Sequence, residues 1–134
     1  MEKIMVDTSA IYALLDRSDR MHEEAKNSLI KLSKEKVITI ITNFIRAESH
    51  ALISSKLGHD LARKWLGKLI WPVERITEID ENRAVEIINY YTDKTYSFTD
   101  ATTFAAMERL GITRAFTFER QFIQHGFGVW NNLL

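Results

Sequence analysis

The chain has 134 residues, no cysteine, 46% hydrophobic and 27% charged residues, and 18 Lys+Arg against 18 Asp+Glu. These numbers allow one proper core, exclude disulfides and thiolate metal sites, and give no global charge to draw in nucleic acid, so any basic surface must be local. No run approaches the roughly 20 apolar residues of a membrane span. The opening MEKIMVDTSAIYALLDRSD shows no cationic start or cleavage site of a signal peptide, and the lack of cysteine suits a reducing cytoplasm, the compartment expected here.

KIMV (3–6) is a short apolar run ending in DTS, which predicts a buried strand running into a helix cap. Residues 8–15 read as a helix, and 21–35 as a second, with Ala25, Leu29 and Leu32 at helical spacing. VITIIT (37–42) is β-branched almost throughout and predicts a strand buried on both faces. NFIRAESHALI (43–53) opens a helix ending near Gly58, with Phe44, Ala47, Ala51 and Leu52 on one face and Glu48 among them. Residues 60–70 read as a helix with Leu61, Trp65, Leu66 and Leu69 inward. VERIT (73–77) follows Pro72, which places it at a sheet edge because proline cannot donate to the ladder. Residues 80–93 predict a helix capped by Asp80, and 97–111 a helix with a Ser97/Asp100 capping box and Gly111 at its end. RAFTF (114–118) and FGVWN (127–131) read as two last strands.

Strands alternating with helices imply a parallel sheet covered on both faces, a three-layer α/β/α sandwich with right-handed crossovers. No linker or repeat divides the chain, so residues 1–134 are expected to form a single domain.

In open parallel sheets, ligands bind beyond the carboxyl ends of the strands. Four segments bring an acid to that edge: Asp7 directly after the first strand, Glu48 in the second turn after the second, Asp100 in the first turn after Ser97, and Glu119 directly after RAFTF. Clustered carboxylates raise one another's pKa and persist together when a divalent cation compensates them. Oxygen donors without cysteine or paired histidines suit magnesium or manganese rather than zinc. HEEAK at residue 22 has no second histidine four residues on and is not a zinc-protease helix. An acidic metal site beside a phosphodiester is nuclease logic.

Each residue also has a plainer reading. Asp7 serves as a helix cap, Asp100 completes a capping box, Glu119 is a solvated first-turn acid, and Glu48 points to solvent if the helix phase is off by one residue. Thr8, Ser9 and Thr99 read as helix-start hydroxyls, with hydrogen bonding to the acids as the other role. His22, His50, His59 and His125 form no constellation and read as surface or turn residues. Lys56, Arg63, Lys64 and Lys68 either face an RNA backbone or form a solvated helix face with Asp60 and Lys64 paired, the second being preferred.

The pieces IMVDTSAIYALLD at the start, HEEA at 22, TNFIRAESHALI at 42, DKTYSFTDATTFAAM at 93 and AFTFERQF at 115 together resemble the PIN-domain ribonucleases, in particular the VapC-like toxins of toxin–antitoxin pairs. The resemblance runs along nearly the whole chain. It implies about five parallel strands in the order 3-2-1-4-5. It carries the family's metal-binding acids onto Asp7, Glu48 and Asp100, around one or two Mg2+ or Mn2+ ions, and its fourth acid onto Glu119, where an aspartate is usual. Asp93 matches a further acid that supports the site at most. The resemblance further implies endoribonuclease activity, a homodimer and a small antitoxin partner. A PIN-like RNA- or protein-binding module with little catalysis is the rival reading, kept alive by Glu119. A small-molecule phosphatase is disfavoured, because no DxD follows the first strand and no Gly-rich phosphate loop is present. If Glu48 serves a metal, Glu48→Gln weakens manganese binding in a calorimetric titration while leaving the fold intact; parent-like affinity removes Glu48 from the site.

Overall fold

The computed structural model describes residues 1–131. Five parallel strands form one sheet in the order β3-β2-β1-β4-β5, with β1 Glu2–Val6, β2 Val37–Thr42, β3 Val73–Glu74, β4 Arg114–Phe116 and β5 Gly128–Val129. Seven helices cover it: α1 Thr8–Leu15, α2 His22–Ser33, α3 Asn43–Leu57, α4 His59–Gly67, α5 Glu78–Tyr90, α6 Phe98–Leu110 and α7 Gln121–Gln124. The result is the expected α/β sandwich, in the expected strand order. None of these helices is long and apolar enough to cross a membrane.

The central strand shows why. Ile4, Met5 and Val6 are all fully buried, and successive side chains of a strand point to opposite faces, so both faces of β1 are covered. Met5 lies opposite Ile40 on one side and Ala115 on the other. Phe104, Phe116 and Phe122 fill the largest core positions between sheet and helices. Pro72 stands just before β3, and β3 is the sheet edge, as its missing N–H requires; its carbonyl accepts from the Ile41 N–H at 3.1 Å.

Four of the helix starts are fixed by side chains. Asp7 caps α1, Thr42 caps α3, and reciprocal capping boxes start α5 (Thr77 with Asp80) and α6 (Ser97 with Asp100). Gly111 closes α6 in the left-handed conformation at φ 69°, which glycine adopts without a Cβ penalty.

Several expectations change. Asp80 is not the α5 cap; Thr77 is, and Asp80 occupies the third helical position. The inward stripe of α3 is Ile45, Ser49 and Ile53, while Ala47 and Ala51 are exposed. Two isoleucines eight apart bury far more apolar area than two alanines, and they set the rotation of the helix. Glu48 therefore lies on the flank of the buried stripe, half-buried, rather than among apolar neighbours. On α4 the buried residue is Ala62, and Leu66 is 44% exposed, because the small alanine lets this helix seat closely. Asp60 pairs with Arg63, not Lys64. The first half of β2 is less covered than its β-branched run suggested, with Ile38 exposed. The strands from 73, 114 and 127 keep only two or three paired residues each, and α7, a single turn anchored by Phe122, is too short to show periodicity.

His125 is not a surface residue. Its side chain is 5% exposed, stacked on Phe104 at 4.6 Å between centroids, with Tyr91, Tyr96 and Phe127 around it.

Two ion pairs join α5 to α6, Arg83 with Glu108 at the surface and Asp80 with Arg109 buried. Asp80, 1% exposed, accepts from Arg109 Nε and Nη2, both at 2.9 Å, and from the Thr77 N–H at 3.0 Å. Burial pushes the Asp80 carboxyl up, but these hydrogen bonds and the guanidinium charge outweigh it and hold the carboxyl below its ordinary value. Removing one partner of a buried pair strands the other. Asp80→Ala is expected to lower unfolding free energy by about 3 kcal/mol in urea denaturation, with Asp80→Asn less severe because the cap survives.

Candidate active site

Asp7 follows β1 directly, and its N–H donates to the Phe116 carbonyl of β4 at 3.0 Å, which continues the parallel ladder past the strand ends. That bond brings Asp7 beside Thr117. Asp7 Oδ2 accepts from Ser9 Oγ at 2.8 Å, Thr117 Oγ1 at 3.0 Å and the Ser9 N–H at 3.3 Å. Its Oδ1 accepts from none of the described residues. Ser9 Oγ in turn accepts from the Phe118 N–H, and Thr117 Oγ1 from the Glu119 N–H. The same two hydroxyls thus fix Asp7 and the backbone leading to Glu119.

Glu48 comes from α3. The Thr8 hydroxyl acts to lower its carboxyl pKa and accepts from Ser49 Oγ at 3.1 Å. Asp100 sits in the first turn of α6, where its Oδ2 accepts from the Ser97 N–H at 3.0 Å. Glu119 lies in the loop between β4 and α7, largely open to solvent. The plain capping readings of Asp7 and Asp100 are thus correct as local structure, and they coexist with membership of the cluster.

Asp7, Glu48 and Glu119 each feel the charge of another acid of the group. Burial raises the Asp7 pKa to about 6, and the Asp100 charge adds to it against the lowering by Ser9 and Thr117. Partial burial raises Glu48, opposed by Thr8 and reinforced by Asp100 and Glu119. Glu119 is raised by desolvation of its carboxyl and by the charges of Asp7 and Asp100. No lysine, arginine or histidine among the described residues forms an ion pair with any of the four. Asp93 is apart from them: it is exposed and paired with Lys94 at 3.0 Å, which lowers its pKa.

Uncompensated carboxylates with free oxygens are donors for a hard cation. Among the described residues, however, no three histidine or acidic side chains are placed to hold an ion together. The donor chemistry fits an ion that keeps most of its water and takes one or two protein carboxylates, as magnesium does. Thr117 is the residue that sequence reasoning missed. A threonine just past a strand run and two positions before an acid was the available signal; the structure buries it fully.

A five-stranded parallel sheet in this order, with separate carboxylates delivered to the carboxyl ends of its strands, defines the class. The chain belongs to the PIN-domain family, whose profile matches residues 4–128. It is 33% identical over 127 residues to the 23S rRNA-specific endonuclease VapC20 of Mycobacterium tuberculosis strain H37Rv, covering 92% of this chain and 95% of that protein. The crystal structure of M. tuberculosis VapC20, described as a sarcin-ricin loop cleaving toxin, superposes with TM-score 0.85 and 30% identity over 96% of this chain and 99% of that one. A toxin–antitoxin complex from Klebsiella pneumoniae shares the fold, with TM-score 0.66 and 18% identity over 94% of each chain.

The Asp7 shift has a cost in stability. The folded chain holds this proton up to about pH 6, whereas the unfolded chain releases it near 3.8. Stability therefore falls as pH rises across that window, by about 3 kcal/mol in total. Asn caps as well as Asp. Asp7→Asn is expected to melt about 5 °C or more above the parent at pH 7.5 in EDTA, with the gap closing toward pH 4; a gap independent of pH would show that the carboxylate charge is not the cause.

Proposed function

We propose that the protein is a metal-dependent endoribonuclease, the toxin of a toxin–antitoxin pair. The observation that carries this reading is that Asp7, Glu48 and Glu119 are each raised by charge from another acid of the group, with no ion pair to a protein cation among the described residues to compensate them. The 33% identity to an rRNA endonuclease supports RNA as the substrate class, and structured ribosomal RNA is the first substrate to offer.

A bound magnesium or manganese ion, one or two per site, supplies a low-pKa water and offsets charge on the phosphoryl oxygens. Asp7 and Asp100 would hold it, each through the Oδ1 that the caps leave free. Glu48, oriented by Thr8, and Glu119, at the open rim, position water or a second ion. A carboxyl with raised pKa accepts a proton more readily near neutral pH, which suits either glutamate as the base for the attacking water. In-line attack at phosphorus leaves a 5′-phosphate and a 3′-hydroxyl. Ser9 and Thr117 keep Asp7 in place and set the loop that presents Glu119. We further propose that the protein acts in the cytoplasm as a homodimer and that a small antitoxin restrains it by covering the site.

Purified protein is expected to cut RNA into discrete fragments with manganese or magnesium, to stop in EDTA, and to lose at least 100-fold in rate as Asp100→Asn, which keeps the capping box geometry but removes the charge. No cleavage by folded protein that still binds manganese would favour the RNA- or protein-binding module; failure to bind manganese would remove the metal site.

A further inference from the structure

The largest cavity described, about 810 Å³, opens directly beside the acid centre. Its lining includes Ser9, Tyr12, Asp19, Arg20, Glu119 and Arg120. It therefore runs from the Asp7 network along α1, past the α1–α2 loop, to the start of α7. Its lining is more polar than apolar, unlike the groove of Leu61, Trp65, Leu69 and Trp71 on another side of the molecule.

Arg20 and Arg120 distinguish this cleft. Both are exposed, and neither donates a side-chain hydrogen bond or forms an ion pair among the described residues. Most other arginines are already engaged: Arg63 with Asp60, Arg83 with Glu86 and Glu108, Arg109 with Asp80, Arg114 with Glu2. In the cavity between α5 and α6 the arginines are those already paired ones. An uncommitted guanidinium is strongly suited to phosphate, which it grips with a planar fork of donors. Two of them on one cleft that reaches Glu119 and the Ser9 hydroxyl bonded to Asp7 answer a physical problem of the proposed reaction. A polyanion has to approach a negative site on a protein of zero net charge, and local cations on the approach path are what lower that barrier.

We infer that Arg20 and Arg120 bind backbone phosphates of the RNA strand lying along this cleft on one side of the scissile bond. The inference rests on the endonuclease reading and adds the residues that grip the substrate. Phosphate contacts position a strand without reading its sequence, so the two arginines supply affinity and register, and base selection lies elsewhere.

The test uses the full chain in two arms. In the cleavage arm, Arg20→Ala and Arg120→Ala each raise KM for RNA about tenfold while kcat stays within about twofold, the mark of lost uniform binding. In the binding arm, an RNA oligonucleotide is titrated onto the Asp100→Asn background at several salt concentrations. There each alanine variant lowers the slope of log K against log[salt] by about 0.7, one phosphate's share for a single strand. Arg→Lys at either position restores part of the slope, because a point charge still meets the phosphate, and manganese affinity is unchanged throughout. Arg63→Ala, which removes a charge already paired on α4, leaves KM and slope alone. A cleaving parent whose alanine variants keep both KM and slope overturns the inference and leaves the nuclease reading standing. A parent that never cleaves overturns the nuclease reading, while the binding arm, which needs no turnover, still decides whether this cleft holds RNA.

Discussion

The parallel alignment of β1 with β4 is the constraint on which the site depends. Val6 lies opposite Phe116, and the Asp7 N–H extends that pairing by one bond to the Phe116 carbonyl. Parallel strands point their carboxyl ends the same way, so residues leaving β1 and β4 emerge side by side. Asp7 and Thr117 meet because of it, and the Ser9 hydroxyl then closes a ring that reaches the Phe118 N–H. Without that register the acids on α3 and α6 would face a different partner, and the cleft ending at Glu119 would have no common floor.

In the proposed site Asp7 and Asp100 would serve two purposes at once, and the two are compatible for a geometric reason. A capping carboxylate uses one oxygen for backbone N–H groups at a helix start, and helix starts are where strands of this topology deliver the chain. Asp7 and Asp100 each spend Oδ2 on that task. Local structure therefore holds the side chains rigidly while the repulsion between them stays unrelieved, which is the strain expected of a site that sacrifices stability for function. The Asp80–Arg109 pair shows the contrasting case: there the protein supplies its own counter-charge, and the carboxylate is purely structural.

Fold class was legible because it rests on long-range pattern, and the strand order came with the family resemblance. Strand–helix alternation survives errors of a residue or two, and acids at strand ends are named by position rather than by orientation. What sequence left hidden depends on orientation or on very short elements. The α3 face was misjudged because Ala47 and Ala51 carry the right period with too little area to compete with Ile45 and Ile53. The α5 start was misplaced by three residues because Thr77 and Asp80 are both good caps, and only the backbone decides which is outside the helix. His125 joined an aromatic cluster drawn from α5, α6 and the loops around α7, which no local window contains. Thr117 looked like strand material and is instead a hydrogen-bonding hub, because its hydroxyl matters only once β1 lies beside it.

The capping geometry also sets what kind of ion can be comfortable here. With Oδ2 of Asp7 and of Asp100 tied to the chain, each aspartate has one oxygen to give and cannot embrace an ion with both. Calcium favours six to eight oxygens and often takes carboxylates bidentately, whereas magnesium is content with single oxygens and a retained water shell. Were the proposed ion held there, the bonds that start α1 and α6 would offer it single carboxylate oxygens, the mode that suits the smaller cation.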